Sequence, residues 1–415
     1  MKNIFMLVLL LRSNLAVQCM ALFFLLFLTP FAQAKNPVVI ISLDAFAQQY
    51  ITKYHPPHLL KLMHQGIYAK ALIPVFPSKT FPNHLSIVTG TYTAKHGIIH
   101  NSFYRRDLAQ YYYKGAGKDN SSWIKAMPIW TLAEKHGVKA AVYFWPESED
   151  KYQGYSPTYN FPYNKHTPNE VRIKQIINWL TLPKPQRPEF IASYFSLVDT
   201  AGHKFGPDSP QVKKAVLKAD NLIGELMLAL KTSVTEPVDL IVVSDHGMTK
   251  IDPQHAIKYT KILPVMPNVK VINGETQILL YSNDQAKMNW LYQLLRQAPD
   301  PRFTVYKQSN FPTHWHWINN ANALPDLVLN ANTPYTFLAP DQVMNKATHG
   351  FDPLNNKQME AIFIAAGPSF QHNKAIPAFE NIHIFPMLAT LLGLPIPSNI
   401  DGKKSVLAPY LINSK

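Results

Sequence analysis

Cysteine is almost missing from this chain: among 415 residues there is one, Cys19. It falls inside the leader at residues 1–34, so the rest carries neither disulfide nor thiolate. That excludes zinc held by cysteine and leaves any metal to histidines and carboxylates. No Lys/Arg block is dense enough to argue for nucleic-acid binding, so no specific nucleic-acid partner is expected. Internal repeats and low-complexity linkers are missing too. The leader has a basic start at Lys2, an apolar core from Met20 to Phe31 and a small-residue cleavage site, Ala32-Gln33-Ala34, which together read as a signal peptide. The apolar core is short for a membrane span and contains Pro30. A second apolar run, Ile4 to Leu11, keeps an uncleaved anchor open as the alternative. Ala16-Val17-Gln18 before Cys19 make a poor lipoprotein site. Residues 35–415 are therefore expected to form one exported domain, in the periplasm or outside the cell.

What is present is a folded, basic protein. Hydrophobic residues make up 47% and charged residues 16% of the chain, a composition far from that of disordered segments. The formal charge is +14, and Lys2 and Arg12 are the only charges in the leader, which leaves +12 beyond it. Such a surface attracts anionic substrates or a membrane face, although a solvated basic surface reads the same way. Val38 to Leu43 is a buried-strand pattern ending on Asp44. Helical stretches at Leu59 to Gln65 and Thr131 to His136 lead to a strand at Ala140 to Trp145. A helix at Glu170 to Leu180, a strand at Phe190 to Val198, a long helix at Val212 to Lys231 and a strand at Leu240 to Val243 follow. Strands alternating with helices imply an α/β fold, a mostly parallel central sheet with helices on both faces. From about 253 to 347 the pattern shifts to short strands, Asn and Pro loops and Trp315 and Trp317, which reads as a smaller inserted subdomain. The main fold resumes at Ala361 to Ala365 and closes with a helix at Ile384 to Leu392.

The chain is organised around Lys79-Thr80-Phe81-Pro82-Asn83-His84. Pro77 and Pro82 stiffen this turn, and a short helix from His84 to Val88 is expected after it, stopped by Gly90. Thr80 thus lies at or beside a helix N-terminus, where free amides favour an anion, and its hydroxyl beside Lys79 suits attack on phosphorus. Three strands deliver an Asp at the end where open α/β sheets place ligands: Asp44, Asp199 and Asp245. With His203, His246 and His349 they make six candidate ligands, and these with the Thr80 oxygen suit two metals about 4 Å apart. His together with Asp favours Zn²⁺ over Mg²⁺.

Taken together, Thr80-Phe81-Pro82-Asn83-His84, His96-Gly97-Ile98-Ile99-His100-Asn101, Asp199-x-x-Gly202-His203, Ser244-Asp245-His246-Gly247-Met248 and His349-Gly350 resemble the nucleotide pyrophosphatase/phosphodiesterase family of the alkaline-phosphatase superfamily. The similarity runs from about residue 37 to the C-terminus. It implies two Zn²⁺ per chain, one held by Asp44, Thr80, Asp245 and His246, the other by Asp199, His203 and His349. It implies that Thr80 is a nucleophile forming a covalent intermediate and that Asn101 hydrogen-bonds a phosphate oxygen. Lys79, Phe81, Asn101 and Tyr163 would contact a nucleotide, with Phe81 and Tyr163 sandwiching its base. Small-molecule nucleotides are then the partners, and nucleoside 5′-monophosphates the products. Glu147 stands where relatives often carry Gly. The rival reading is a phosphodiesterase of choline-phosphate lipid headgroups. A phosphomonoesterase and an inactive nucleotide-binding protein fit less well, because Asn101 is neutral and every matched position is filled.

Overall fold

The computed structural model describes residues 35–149, 151–340 and 343–412. The leader and Cys19, with the signal-peptide reading, lie outside the described residues. The strands begin with β1 (Val38–Leu43), β2 (Ile67–Ala69), β3 (Ala140–Tyr143), β4 (Tyr159–Phe161), β5 (Phe190–Phe195) and β6 (Asp239–Val243). Next come β7 (Lys270–Asn273), β8 (Gln277–Tyr281), β9 (Phe303–Lys307) and β10 (Leu327–Ala331), then β11 (Phe363–Ala366) and β12 (Lys374–Ile376). Eight of them form the central sheet in the order β12-β2-β11-β6-β1-β5-β3-β4. From β6 to β4 every pairing is parallel, whereas β11 runs antiparallel between β6 and β2.

The helices that cover this sheet are α1 (Pro57–Gln65), α2 (Thr80–Thr89), α3 (Ile129–Lys135), α4 (Asn169–Leu180), α5 (Leu197–Phe205) and α6 (Pro210–Ser233). Later in the chain lie α7 (Gln285–Gln297) and α8 (Ile384–Leu391). Alternate side chains of a strand point to opposite faces, and β1 is buried at all six positions. Val38 and Ile40 join a core with Leu85 and Val88 of α2, Ile129 of α3 and Leu388 of α8. Val39, Ile41 and Leu43 join another with Leu59 of α1, Ile176 of α4 and Val216 of α6. The fold is thus α/β with helices on both faces. Each aliphatic side chain fully buried in these layers contributes about 1.5–3 kcal/mol.

Three local expectations are corrected. β5 stops at Phe195, and Asp199 sits on α5 rather than at a strand end. α2 starts at Thr80, four residues before His84; Pro82 does not delay it, because first-turn amides have no helical acceptor to lose. The chain also continues past α8 into a short helix, Lys404–Leu407.

Between β6 and β11, strands β7 to β10 form a separate antiparallel sheet in the order β7-β8-β10-β9. Ile278, Leu280, Leu291 and Leu329 give it its own core. Trp315 and Trp317 are not part of that core but join the α2 side of the main sheet. Trp315 stacks on Phe76 with 3.8 Å between centroids, and the Trp317 Nε1–H donates to Thr93 Oγ1 at 2.9 Å. The two indoles therefore brace the segment that leads into Thr80.

Candidate active site

Neighbouring parallel strands deliver the site. Asp44 follows β1, Asp245 and His246 follow β6, and Asp199 and His203 come on the helix after β5, so all five gather at the carboxyl ends of β6, β1 and β5. On α5, Asp199 and His203 stand four apart and share one face; the His203 Nε2 lies 3.2 Å from Asp199 Oδ1. Gly202 is helical because α5 packs tightly on Met248: a Cβ there would stand 2.8 Å from the Met248 Cε. His349 arrives from the far side, just after Ala347–Thr348, which pairs with Thr249–Lys250.

The turn carrying Thr80 is tied down by side chains that sequence reasoning had passed over. Asn83 Oδ1 accepts from Val75 N–H at 2.7 Å, while its Nδ2 donates to Lys79 O at 2.9 Å and Pro77 O at 3.0 Å. The His84 Nδ1–H donates to Thr80 O at 2.9 Å, and its Nε2 accepts from the Ser42 hydroxyl at 2.8 Å. Ser78 joins this turn to the His349 loop: its Oγ–H donates to Phe351 O at 2.6 Å and accepts from Gly350 N–H at 3.1 Å. Asn83→Ala removes the buried hub and strands several of its partners. Urea unfolding should show a loss of about 2–4 kcal/mol; an unchanged midpoint would mean that the turn is held by the prolines alone.

The structure sorts the six candidate ligands into two trios, Asp44, Asp245 and His246 in one and Asp199, His203 and His349 in the other. The first is fully buried, and the second opens further toward solvent through Asp199 and His203. The rings of His246 and His349 stack at 3.7 Å, so the trios adjoin. Each histidine faces a backbone carbonyl through Nδ1: His246 to Gly247 O at 2.9 Å, His349 to Ser78 O at 2.9 Å and His203 to Ala347 O at 3.0 Å. A carbonyl can only accept, so the proton sits on Nδ1 and each Nε2 presents a lone pair.

Those lone pairs point at carboxylate oxygens that accept no hydrogen bond: Asp44 Oδ1, Asp199 Oδ1 and Asp245 Oδ2. The His246 Nε2 lies 3.0 Å from Asp245 Oδ2 and 3.5 Å from Asp44 Oδ1. The His349 Nε2 lies 3.7 Å from Asp199 Oδ1. With neutral imidazoles these are lone pairs set against lone pairs, which repel; at His203, burial is outweighed by Asp199, which holds that imidazole above its usual range. A buried acceptor left bare costs about 1–3 kcal/mol, and three in one cavity would consume much of the ~5–15 kcal/mol by which domains are stable. Burial and the carboxylates of Asp245 and Asp199 push Asp44 well above the usual carboxylate range. Burial, then His246, pushes His349 well below the usual imidazole range. Cations between these groups remove all of these penalties at once, so the donor set fits Zn²⁺ in both trios. The Thr80 Oγ1 stands 3.3 Å from the His246 Nε2, at the edge of the first trio. Tyr194, which sequence reasoning missed, donates its phenol to Asp44 Oδ2 and holds the other oxygen toward the trio. Its signal was its inward register on β5, beside the strand that ends at Asp44.

A cavity of about 520 Å³ opens beside Thr80, lined by Asp44, Asp199, Phe81, Tyr163, Tyr194 and Glu149, among others. Phe81 and Tyr163 thus share one cavity; Tyr163 is 52% exposed, and its ring leans on Phe144 at 5.3 Å. Asn101 Oδ1 accepts from Phe81 N–H at 3.0 Å, which fixes the orientation of its amide beside the Thr80 turn. Lys79, expected to contact a nucleotide, is buried, and its ammonium faces Glu275 Oε2 at 3.7 Å. A buried ammonium needs a carboxylate partner, and the turn before β8 supplies one.

Comparison with known proteins supplies the context. A sequence model of the family described as type I phosphodiesterase / nucleotide pyrophosphatase matches residues 38–352. A venom phosphodiesterase of Naja atra is 35% identical over 386 residues, covering 88% of this chain and 45% of its own, so the chain spans less than half the length of that relative. An uncharacterised pyrophosphatase/phosphodiesterase of Schizosaccharomyces pombe is 32% identical over 88% of this chain and 78% of its own. Among solved structures, murine ectonucleotide pyrophosphatase/phosphodiesterase 5 matches with a TM-score of 0.84 and 29% identity over 91% of this chain and 100% of its own. An inactive threonine-to-alanine form of it, in complex with AMP, matches equally well.

Proposed function

This chain belongs to the type I phosphodiesterase / nucleotide pyrophosphatase family, and from that premise we propose that it hydrolyses phosphodiester and pyrophosphate bonds of nucleotides, releasing nucleoside 5′-monophosphates, with Thr80 as the nucleophile. The observation that carries this reading is the two adjoining trios of bare carboxylate oxygens and imidazole nitrogens, with the Thr80 hydroxyl at the edge of the first.

Asp44, Asp245, His246 and the Thr80 oxygen would hold one zinc, and Asp199, His203 and His349 the other. Bound zinc would make the hydroxyl and a water acidic enough to react near neutral pH and would offset charge on the phosphoryl oxygens. The Thr80 Oγ attacks phosphorus as its proton leaves to solvent, and the bond to the leaving oxygen breaks on the opposite side. Water then cleaves the resulting phosphothreonine ester and restores the hydroxyl. Asn101 Nδ2 donates to a non-bridging oxygen throughout, its orientation set by Phe81 N–H. The positive end of α2 favours the anion at Thr80. The murine relative's inactive form, a threonine-to-alanine change bound to AMP, supports both the nucleophile and the nucleotide. Phe81 and Tyr163 are placed to stack on the base, each contact worth about 1–3 kcal/mol.

The choline-phosphate alternative asks for a carboxylate in an aromatic cage. Glu147 is buried beneath a loop, and Glu149 Oε1 already accepts from Tyr163 N–H at 3.0 Å, which weakens that reading. We propose that the leader directs the enzyme to the periplasm or outside the cell, and N-terminal sequencing of the mature protein checks this. A substrate panel on zinc-loaded protein tests the function: p-nitrophenyl esters of nucleoside 5′-phosphates and dinucleotide pyrophosphates should be cleaved well, p-nitrophenyl phosphorylcholine and p-nitrophenyl phosphate poorly. Preference for the choline ester would overturn the nucleotide reading. Tyr163→Ala should lower kcat/KM for the nucleotide ester by about ten-fold or more and leave a base-less diester little affected. Equal losses on both would make Tyr163 a structural residue.

A further inference from the structure

Glu147 occupies a backbone conformation that glycine adopts freely and other residues avoid, with φ of 62°. Its carboxylate is nevertheless buried and fully engaged with one loop. Oε1 accepts from the Tyr112 hydroxyl and from Gly115 N–H at 3.0 Å, and Oε2 accepts from Gly117 N–H at 2.8 Å. Gly117 allows this approach because it lacks a side chain: a Cβ there would stand 2.1 Å from Glu147 Oε2. The anchor itself is rigid. Tyr112 stacks on Phe103 at 4.8 Å and meets Trp123 edge-on at 5.3 Å. The loop that Glu147 grips supplies Tyr113, Lys114 and Lys118 to the wall of the cavity beside Thr80, a wall that Glu147 itself also joins.

We propose that Glu147 is a positioning residue for substrate selection: its carboxylate fastens loop 113–118 so that an aromatic ring and two ammonium groups form a preformed wall for the nucleotide. This rests on the nucleotide reading above. A loop that is already ordered costs little on binding, whereas a loose one must be ordered at the expense of affinity. A nucleoside 5′-phosphate ester is long enough to extend from Thr80 to this wall; a diester without a nucleoside, which carries the same single charge, is not. Glu147 therefore acts through the loop, without touching the reacting atoms.

Two readouts on the zinc-loaded protein test it, and they separate the clasp from the function. In Glu147→Gly, amide hydrogen exchange across 113–118 should speed up by at least about ten-fold, and trypsin should cut faster after Lys114 and Lys118. The ratio of kcat/KM for thymidine 5′-monophosphate p-nitrophenyl ester to that for bis(p-nitrophenyl) phosphate should fall by about ten-fold, the loss lying in KM. Glu147→Gln, which keeps an acceptor oxygen but no charge, should fall between wild type and Glu147→Gly, and it carries the same comparison if the glycine variant does not fold. Unchanged exchange would overturn the clasp. Faster exchange with an unchanged ratio would overturn the positioning role. A wild-type enzyme with no preference for the nucleotide ester would overturn the nucleotide reading instead, with the exchange data still deciding the clasp.

Discussion

Thr80→Ala should lower kcat on nucleotide esters by roughly 10⁴-fold or more, the scale of losing a covalent nucleophile, while the protein should stay folded and still take up metal. The structure separates these effects. The Thr80 side chain makes one polar contact, to the His246 Nε2 at 3.3 Å, and caps no amide of α2. The turn is held instead by Asn83, His84 and Ser78. Alanine suits the first helical position, so stability should change by less than about 1 kcal/mol. Under the proposed mechanism, loss of the hydroxyl leaves both trios in place with nothing poised to attack. Thr80→Ser keeps the oxygen and loses the methyl that restricts its rotamer, so it should retain partial activity. Steady-state rates alongside circular dichroism and metal analysis check the set; a wild-type rate in Thr80→Ala would end the covalent account.

If both trios of the proposed site hold zinc, His349→Ala should reduce it from two per chain toward one. Its trio is left with Asp199 and His203, one protein ligand fewer than catalytic zinc sites keep. Affinity there should drop by roughly 10²-fold or more, so activity should come to depend on added zinc. The effect reaches further than a ligand count, because His349 also donates to Ser78 O in the turn ahead of Thr80 and stacks on His246. Metal analysis after dialysis is the check, and a stoichiometry still at two would remove His349 from the coordination shell.

Much of this arrangement was legible in the residues, for physical reasons. β1 matches its apolar run because a strand buried on both faces must be apolar throughout. Asp44 and Asp245 could be placed because strand ends in open α/β sheets are ligand positions. Asp199 was read onto a strand end because the apolar run from Phe190 continues to Val198, whereas β5 stops at Phe195 and the chain turns at once into α5. β2, β4 and β12 are three residues each, too short to show a period. The antiparallel direction of β11 leaves no local trace. Lys79 sits beside Thr80 in sequence, but its partner Glu275 lies in the region around the smaller sheet, and pairings between distant segments cannot be read from spacing. Trp315 and Trp317 illustrate the same limit: a composition shift marks where a region begins, not which core its aromatics enter.

The stereochemical course at phosphorus tests the central claim most directly. Attack by Thr80 followed by attack of water makes two in-line displacements, each inverting the centre. Hydrolysis of a chiral nucleoside 5′-phosphorothioate ester in ¹⁸O-labelled water, with the product resolved by ³¹P NMR, should therefore show net retention. Net inversion would mean that water attacks the substrate directly and that Thr80 is not the nucleophile.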